Sequence, residues 1–181
     1  KQSASDTPHY ENVPFEIPDS WEWTTLGEIS NYGICDSVNV ISIPDDGWIL
    51  ELEDIEKESA IILQRLTKGE REIKGVRHSF RKGDVLYSKL RTYLNKVLVA
   101  DDDGFCTTEI IPISCYSFVL PEYLNQVLRS KYFVDYTVQC GYGVKMPRLS
   151  TTDACIGMIP LPPFNEQKRI VGVLESWFQL I

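Results

Sequence analysis

Between Trp21 and Ser114 the chain breaks its apolar residues into runs of five to eight, separated by turn-forming residues. VNVISI ends at Pro44-Asp45-Asp46-Gly47 and WILEL follows it; AIILQ, DVLYSKL, KVLVA and TTEIIPIS come next, with Asp101-Asp102-Asp103-Gly104 before the last. Runs this short, rich in Val and Ile and bounded by Pro, Asp and Gly, predict strands. WEWTTLGEIS predicts a short strand or helical turn that docks two indoles on the core. At Pro121 the spacing changes. Leu124, Val127 and Leu128 fall at helical intervals behind a proline start, and YFVDYTVQCG predicts a second helix that stops at Gly141. Ser150 and Asp153 predict the cap of a further helical turn, and IGMIPLPP an extended segment. The expected fold is α+β: a single globular domain with a twisted, mostly antiparallel sheet and short helices, followed by the start of a long coiled-coil-type helix.

A chain of 181 residues suits one domain with a proper core. Residues 1–20 are polar and carry Pro8, Pro14 and Pro18, which predicts an extended linker; residues 21–164 form the expected domain. Residues 165–181 open with Asn165 as a candidate N-cap, and Ile170, Leu174, Trp177 and Ile181 recur at four, three and four residues with Val173 beside them. That spacing predicts the beginning of a spacer or dimerisation helix, although an amphipathic helix lying on its own domain gives the same pattern. The pattern stops at Ile181 without a cap, so the native helix is expected to run on. No stretch approaches the ~18 apolar residues of a membrane span, and the opening lacks the apolar core of a signal peptide, which predicts a cytoplasmic location. Cys35, Cys106, Cys115, Cys140 and Cys155 are odd in number and contain no C-x-x-C pair, so reduced, buried thiols are expected.

Catalytic signatures are absent from the sequence. It holds no G-x-S-x-G, Walker, G-x-G-x-x-G or H-E-x-x-H motif, and its only histidines are His9 and His78. The Asp-rich turn lacks the alternating ligands and closing Glu of a calcium loop. Leu161-Pro162-Pro163-Phe164 resembles the Pro-Pro-aromatic motif of amino-methyltransferases, but Leu161 stands where a side-chain oxygen is needed, so the segment reads as a rigid strand-to-helix joint. The chain is expected to be no enzyme and to need no cofactor or metal.

The net charge is -8, yet it is unevenly spread: residues 1–64 hold two basic and fourteen acidic residues, whereas residues 65–98 hold ten and three. Charges separated by more than ~8 Å are largely screened at physiological salt, so an acidic chain can still bind a polyanion through a local patch. Ser88, Lys89, Arg91, Thr92, Tyr93, Asn95 and Lys96 offer phosphate donors, a guanine-gripping fork and short hydroxyl donors within nine residues, with Lys82 just before them. A solvated charged face has the same composition. GYGVKMPRLS, with two Gly and a Pro around Tyr142, Lys145 and Arg148, is a second candidate loop.

PFEIPDSWEWTTLGEI, KGDVLYSKLRTYLNKV, YGVKMPRLSTTD and IPLPPFNEQKRIV, in that order, resemble a target-recognition domain of the DNA specificity subunit of Type I restriction-modification systems. The resemblance implies a non-catalytic module that reads one half of a bipartite double-stranded DNA target. It implies partners too: the methyltransferase (M) and restriction (R) subunits, and a second target-recognition domain or a homodimer through the C-terminal helix. Carried over by motif, Lys89, Arg91, Tyr93 and Lys96 in the middle segment and Tyr142, Lys145 and Arg148 in the later loop would face DNA. Ile170, Val173, Leu174 and Trp177 would begin the spacer helix. A scaffold that associates mainly through that helix is the alternative.

Overall fold

A computed structural model describes residues 12–178. Ten strands alternate with five helices: β1 (Glu22–Thr25), α1 (Leu26–Ile29), β2 (Ser37–Asn39), β3 (Trp48–Leu50), β4 (Leu66–Thr67), β5 (Val76–Phe80), β6 (Val85–Ser88), β7 (Val97–Val99), β8 (Gly104–Cys106), β9 (Ile110–Ile113), α2 (Pro121–Arg129), α3 (Lys131–Cys140), α4 (Thr151–Ile156), β10 (Met158–Leu161) and α5 (Phe164–Phe178). The α+β expectation holds. The strands are shared among three sheets: β1-β10, β2-β5-β8-β3-β4 and β7-β6-β9, with one parallel pairing, β3 with β8.

The sheet β7-β6-β9 partitions the core. On β6, Val85 and Tyr87 pack with Ile111 and Ile113 of β9 against Leu124 and Leu128 of α2 and Phe133 of α3. The alternate residues Leu86 and Ile110 face a second cluster with Leu50, Phe80, Leu98 and Cys106. A strand buried on both faces has no solvated side, which is why VLYS lacks the polar alternation of a surface strand and its one polar residue, Ser88, needs an internal partner. The five-stranded sheet closes over the second cluster. Gly104 allows its closest approach there: a Cβ would stand 2.7 Å from Phe80 Cζ.

Several local expectations give way to short-range hydrogen bonds and backbone turns. VNVISI is strand only through Asn39, whose carboxamide oxygen accepts from the Ile41 amide and turns the chain into a 3-10 helix. AIILQ contributes one isolated bridge, Ile55 with Ile62, because Ala60 sits at φ 57° and leaves the strand conformation. Helix α5 begins at Phe164, and Asn165 lies inside its first turn; the Pro163 carbonyl accepts from the Gln167 amide, so the residue after the Pro-Pro joint already belongs to the helix. Ser150 caps α4 as expected, accepting from the Asp153 amide at 3.0 Å.

The start of α5 is fixed by one amide. Gln167 is fully buried; its Nε2 donates to the carbonyls of Phe118 and Pro162 at 3.0 Å each, and its Oε1 accepts from the Leu120 amide at 2.8 Å. Val171 is buried and Ile170 packs on the main core, so the first two turns of the expected seam are spent on the domain itself. Val173 and Trp177 remain exposed, Trp177 at 62%, and Ile181 lies outside the described residues. At the other end Phe15 packs edge-on against Trp23 and Tyr132, with ring centroids 4.9 and 5.2 Å apart, so docked structure begins before Trp21.

Candidate nucleic-acid interface

Much of the basic segment is used internally. Arg65 pairs with Asp101 and lies 4.3 Å over the Trp48 ring; Lys68 pairs with Asp45; Arg71 with the buried Asp54 at 2.6 Å; Arg77 with Glu51 at 2.8 Å. The acidic early segment and the basic middle one therefore neutralise each other in part. A cleft of about 640 Å³ is lined by the paired Glu51, Arg71 and Arg77 together with Glu53, Glu72 and Lys74. Among the described residues Lys82, Lys89, Arg91 and Lys145 make no ion pair.

After β6 the chain forms a compact loop. Arg91 and Asn95 both take left-handed backbone angles, φ 51° and 52°, and bracket a 3-10 turn over Thr92–Leu94. Helices α2 and α3 hold the loop from beneath: Asn95 Nδ2 donates to the Arg129 carbonyl at 3.2 Å, and Thr137 Oγ1 donates to Thr92 Oγ1 at 2.9 Å. Non-glycine residues at positive φ are strained, and such strain persists where packing fixes the loop around it. Tyr93 remains 46% exposed at its tip.

The second loop joins the first. Tyr142 and Arg148 exchange backbone hydrogen bonds at 3.0 and 2.9 Å and close a hairpin whose turn uses Gly143 at φ 94°. The Arg91 amide then donates to the Pro147 carbonyl at 2.8 Å, the Leu149 amide to the Lys89 carbonyl at 2.9 Å, and Leu90 bridges Arg148. Two segments distant in sequence thus form one platform, bearing Lys89, Arg91, Tyr93, Tyr142 and Lys145.

Of the other predicted residues, Ser88, Thr92, Lys96 and Arg148 have partners within the fold, and Lys82 does not join the platform through any hydrogen bond among the described residues. Ser88 is buried and its hydroxyl donates to the Leu90 carbonyl at 2.9 Å, which removes it from any surface. Lys96 Nζ donates to the Leu52 carbonyl at 2.6 Å, and burial lowers its pKa against a smaller opposing effect of Asp54. The Thr92 hydroxyl accepts from Thr137. Lys82 is exposed on the β5–β6 turn, where its amide donates to Asp103 Oδ1 at 2.8 Å. Arg148 is held by Glu109, which as a single Glu among apolar runs carries no positional signal in the sequence.

Among the described residues no cysteine hydrogen-bonds to His78. His78 sits within 3.0 Å of the Ile110 carbonyl through Nδ1, and its cross-strand neighbour Cys106 is fully buried with its thiol pKa pushed well up by desolvation. Burial likewise raises the thiols of Cys35, Cys115 and Cys155.

No protein-family model matches the chain. Over 167 residues it is 26% identical to the EcoDI specificity subunit of a Type I restriction enzyme from Escherichia coli, an alignment covering 90% of this chain and 36% of that protein. The chain is homologous to a Type I restriction enzyme specificity subunit. Solved Type I specificity subunits share its fold: the HsdS subunit of Thermoanaerobacter tengcongensis superposes with a TM-score of 0.76 at 24% identity, covering 92% of this chain and 44% of that one. The S subunit of M. genitalium gives 0.60 at 14% identity, over 96% and 42%. The chain therefore spans about a third of its curated relative and less than half of these specificity subunits.

Proposed function

We propose that residues 21–164 form a target-recognition domain that reads one half of a bipartite double-stranded DNA site for a Type I restriction-modification complex, and that the domain performs no chemistry itself. The joined platform of the Lys89–Asn95 and Tyr142–Arg148 loops carries this reading: it gathers the unpaired cations Lys89, Arg91 and Lys145 beside two exposed tyrosines. Such a surface supplies phosphate contacts from the ammonium groups and base contacts from the guanidinium and hydroxyls. Homology to the specificity subunit supports the same reading.

Methylation and cleavage then belong to the M and R partners, in the cytoplasm. The exposed Val173 and Trp177 on α5 are the surface offered to a second recognition domain, a homodimer mate or the M subunits, with residues 165–181 as the start of the spacer. Among the described residues, no helix is long and apolar enough to cross a membrane.

Selection from a randomised duplex pool at moderate salt, with Lys89→Ala/Arg91→Ala as control, tests the proposal. Enrichment of a short motif that the control loses is the expected result. If the three platform cations each neutralise a phosphate, affinity should fall roughly fortyfold between ~50 and ~200 mM salt. Retention without enrichment would sink sequence reading by this domain, and absence of retention would sink DNA binding by it.

A further inference from the structure

Arg148 is gripped along one edge only. Its Nε donates to Glu109 Oε2 at 3.1 Å and Oε1 at 3.3 Å, and its Nη2 donates to Oε1 at 2.9 Å. A guanidinium has five N–H donors in a planar fork, and a carboxylate on the Nε/Nη2 side leaves the far edge, Nη1 with the second Nη2 hydrogen, unused. Among the described residues no hydrogen bond is made by Nη1, and the side chain keeps 37% of its surface exposed.

Loop closure does not depend on this ion pair. Main-chain bonds from Arg148 to Tyr142, from Leu149 to Lys89 and from Arg91 to Pro147 already hold the hairpin. Glu109 is itself anchored in the β8–β9 turn, where its carbonyl accepts from the Lys89 amide at 3.0 Å. Both members of the pair are thus fixed to the platform, and the free edge has a set direction.

We infer that Arg148 reads a guanine edge in the DNA half-site and that Glu109 is its positioning residue, an assignment that rests on the DNA-reading function proposed above. Guanine presents O6 and N7 as two acceptors in the major groove, and the end-on edge of a guanidinium matches them. A phosphate role suits Arg148 poorly. Glu109 already neutralises it and would repel a phosphate, whereas Lys89, Arg91 and Lys145 on the same platform carry no such partner. The carboxylate contributes order instead: it limits the rotamers of a long side chain before DNA arrives.

The test uses the duplex selected by the whole 181-residue chain, with each guanine replaced in turn by 7-deazaguanine, which keeps base pairing and loses the N7 acceptor. One replacement should weaken wild-type binding at least about fivefold and leave Arg148→Ala indifferent. Arg148→Lys, which keeps the charge and loses the fork, should bind the guanine and 7-deazaguanine duplexes alike, at the level the wild type shows on the 7-deazaguanine duplex. Glu109→Ala should relax the same position and steepen the fall of log K with log salt by about 0.9, because the freed guanidinium turns to phosphate. Thermal melts of the variants identify any that fail to fold. If the wild type selects a motif yet tolerates 7-deazaguanine everywhere, or if Arg148→Ala weakens all duplexes equally and flattens the salt slope, Arg148 is a phosphate contact and the inference is wrong. A wild-type chain that retains no duplex at all overturns the DNA-reading function itself.

Discussion

The Arg91 amide donates to the Pro147 carbonyl at 2.8 Å while Arg91 itself stands in the left-handed region at φ 51°. The strained residue is thus the one that ties the two platform loops together. Glycine takes this conformation without a Cβ penalty, so Arg91→Gly should hold or raise stability by up to ~1 kcal/mol while weakening DNA binding. Parallel denaturation and binding curves would separate the two effects; unchanged binding would remove Arg91 from the interface.

Asp54 is fully buried and accepts from Arg71 Nη2 at 2.6 Å, Gln64 Nε2 at 2.7 Å and the Glu51 amide at 2.7 Å. Asp54→Ala leaves all three donors without their acceptor and Arg71 without its buried counter-charge, at an expected cost of ~3–5 kcal/mol. A double Asp54→Leu/Arg71→Met variant should recover much of that loss in urea denaturation, since neither charge is then stranded.

Gln167 has every side-chain donor and acceptor satisfied by backbone groups of the β9–α2 connection and the Pro-Pro joint, apart from a second lone pair on its oxygen. Gln167→Leu should destabilise the domain by roughly 2 kcal/mol or more, as buried carbonyls and an amide lose their partners. Hydrogen exchange should quicken first at the Leu120 amide.

Alkaline pH should weaken the fold. Burial moves the Cys115 thiol from 9.0 to about 12, with Asp84 and Glu122 adding to the effect, and the Tyr132 phenol from 10.0 to about 12. Both folded values are raised, so their contribution is complete below pH 9 and is lost as the unfolded chain ionises while the folded one resists, up to about pH 12. Urea midpoints measured from pH 8 upward should fall over this window, and Cys115→Ala should shallow the decline.

How far the sequence revealed this molecule depended on whether local spacing or distant partners decided each feature. Strands β6, β7 and β9 and helices α2 and α3 were legible because burial imposes a continuous apolar run or a helical interval on neighbouring residues. Strand β5, Val76–Phe80, was not, since Arg77 and His78 spend polar side chains on partners distant in sequence, Glu51 and the Ile110 carbonyl. The basic island was visible as composition, yet the pairing of Arg65, Lys68, Arg71 and Arg77 with distant acids depends on tertiary contacts that no local window contains. Likewise the two loops were each evident from Gly, Pro and charge, whereas their union through Leu90 and Arg148 was not.

Strands β1 and β10 run antiparallel side by side, Glu22 opposite Leu161 and Thr25 opposite Met158. Chain enters and leaves the domain through one narrow neck, so residues between Leu26 and Gly157 form a closed excursion. Substitutions within that excursion that spare Tyr132 under Phe15, and Phe118 and Leu120 under Gln167, should leave the spacing of the neck unchanged.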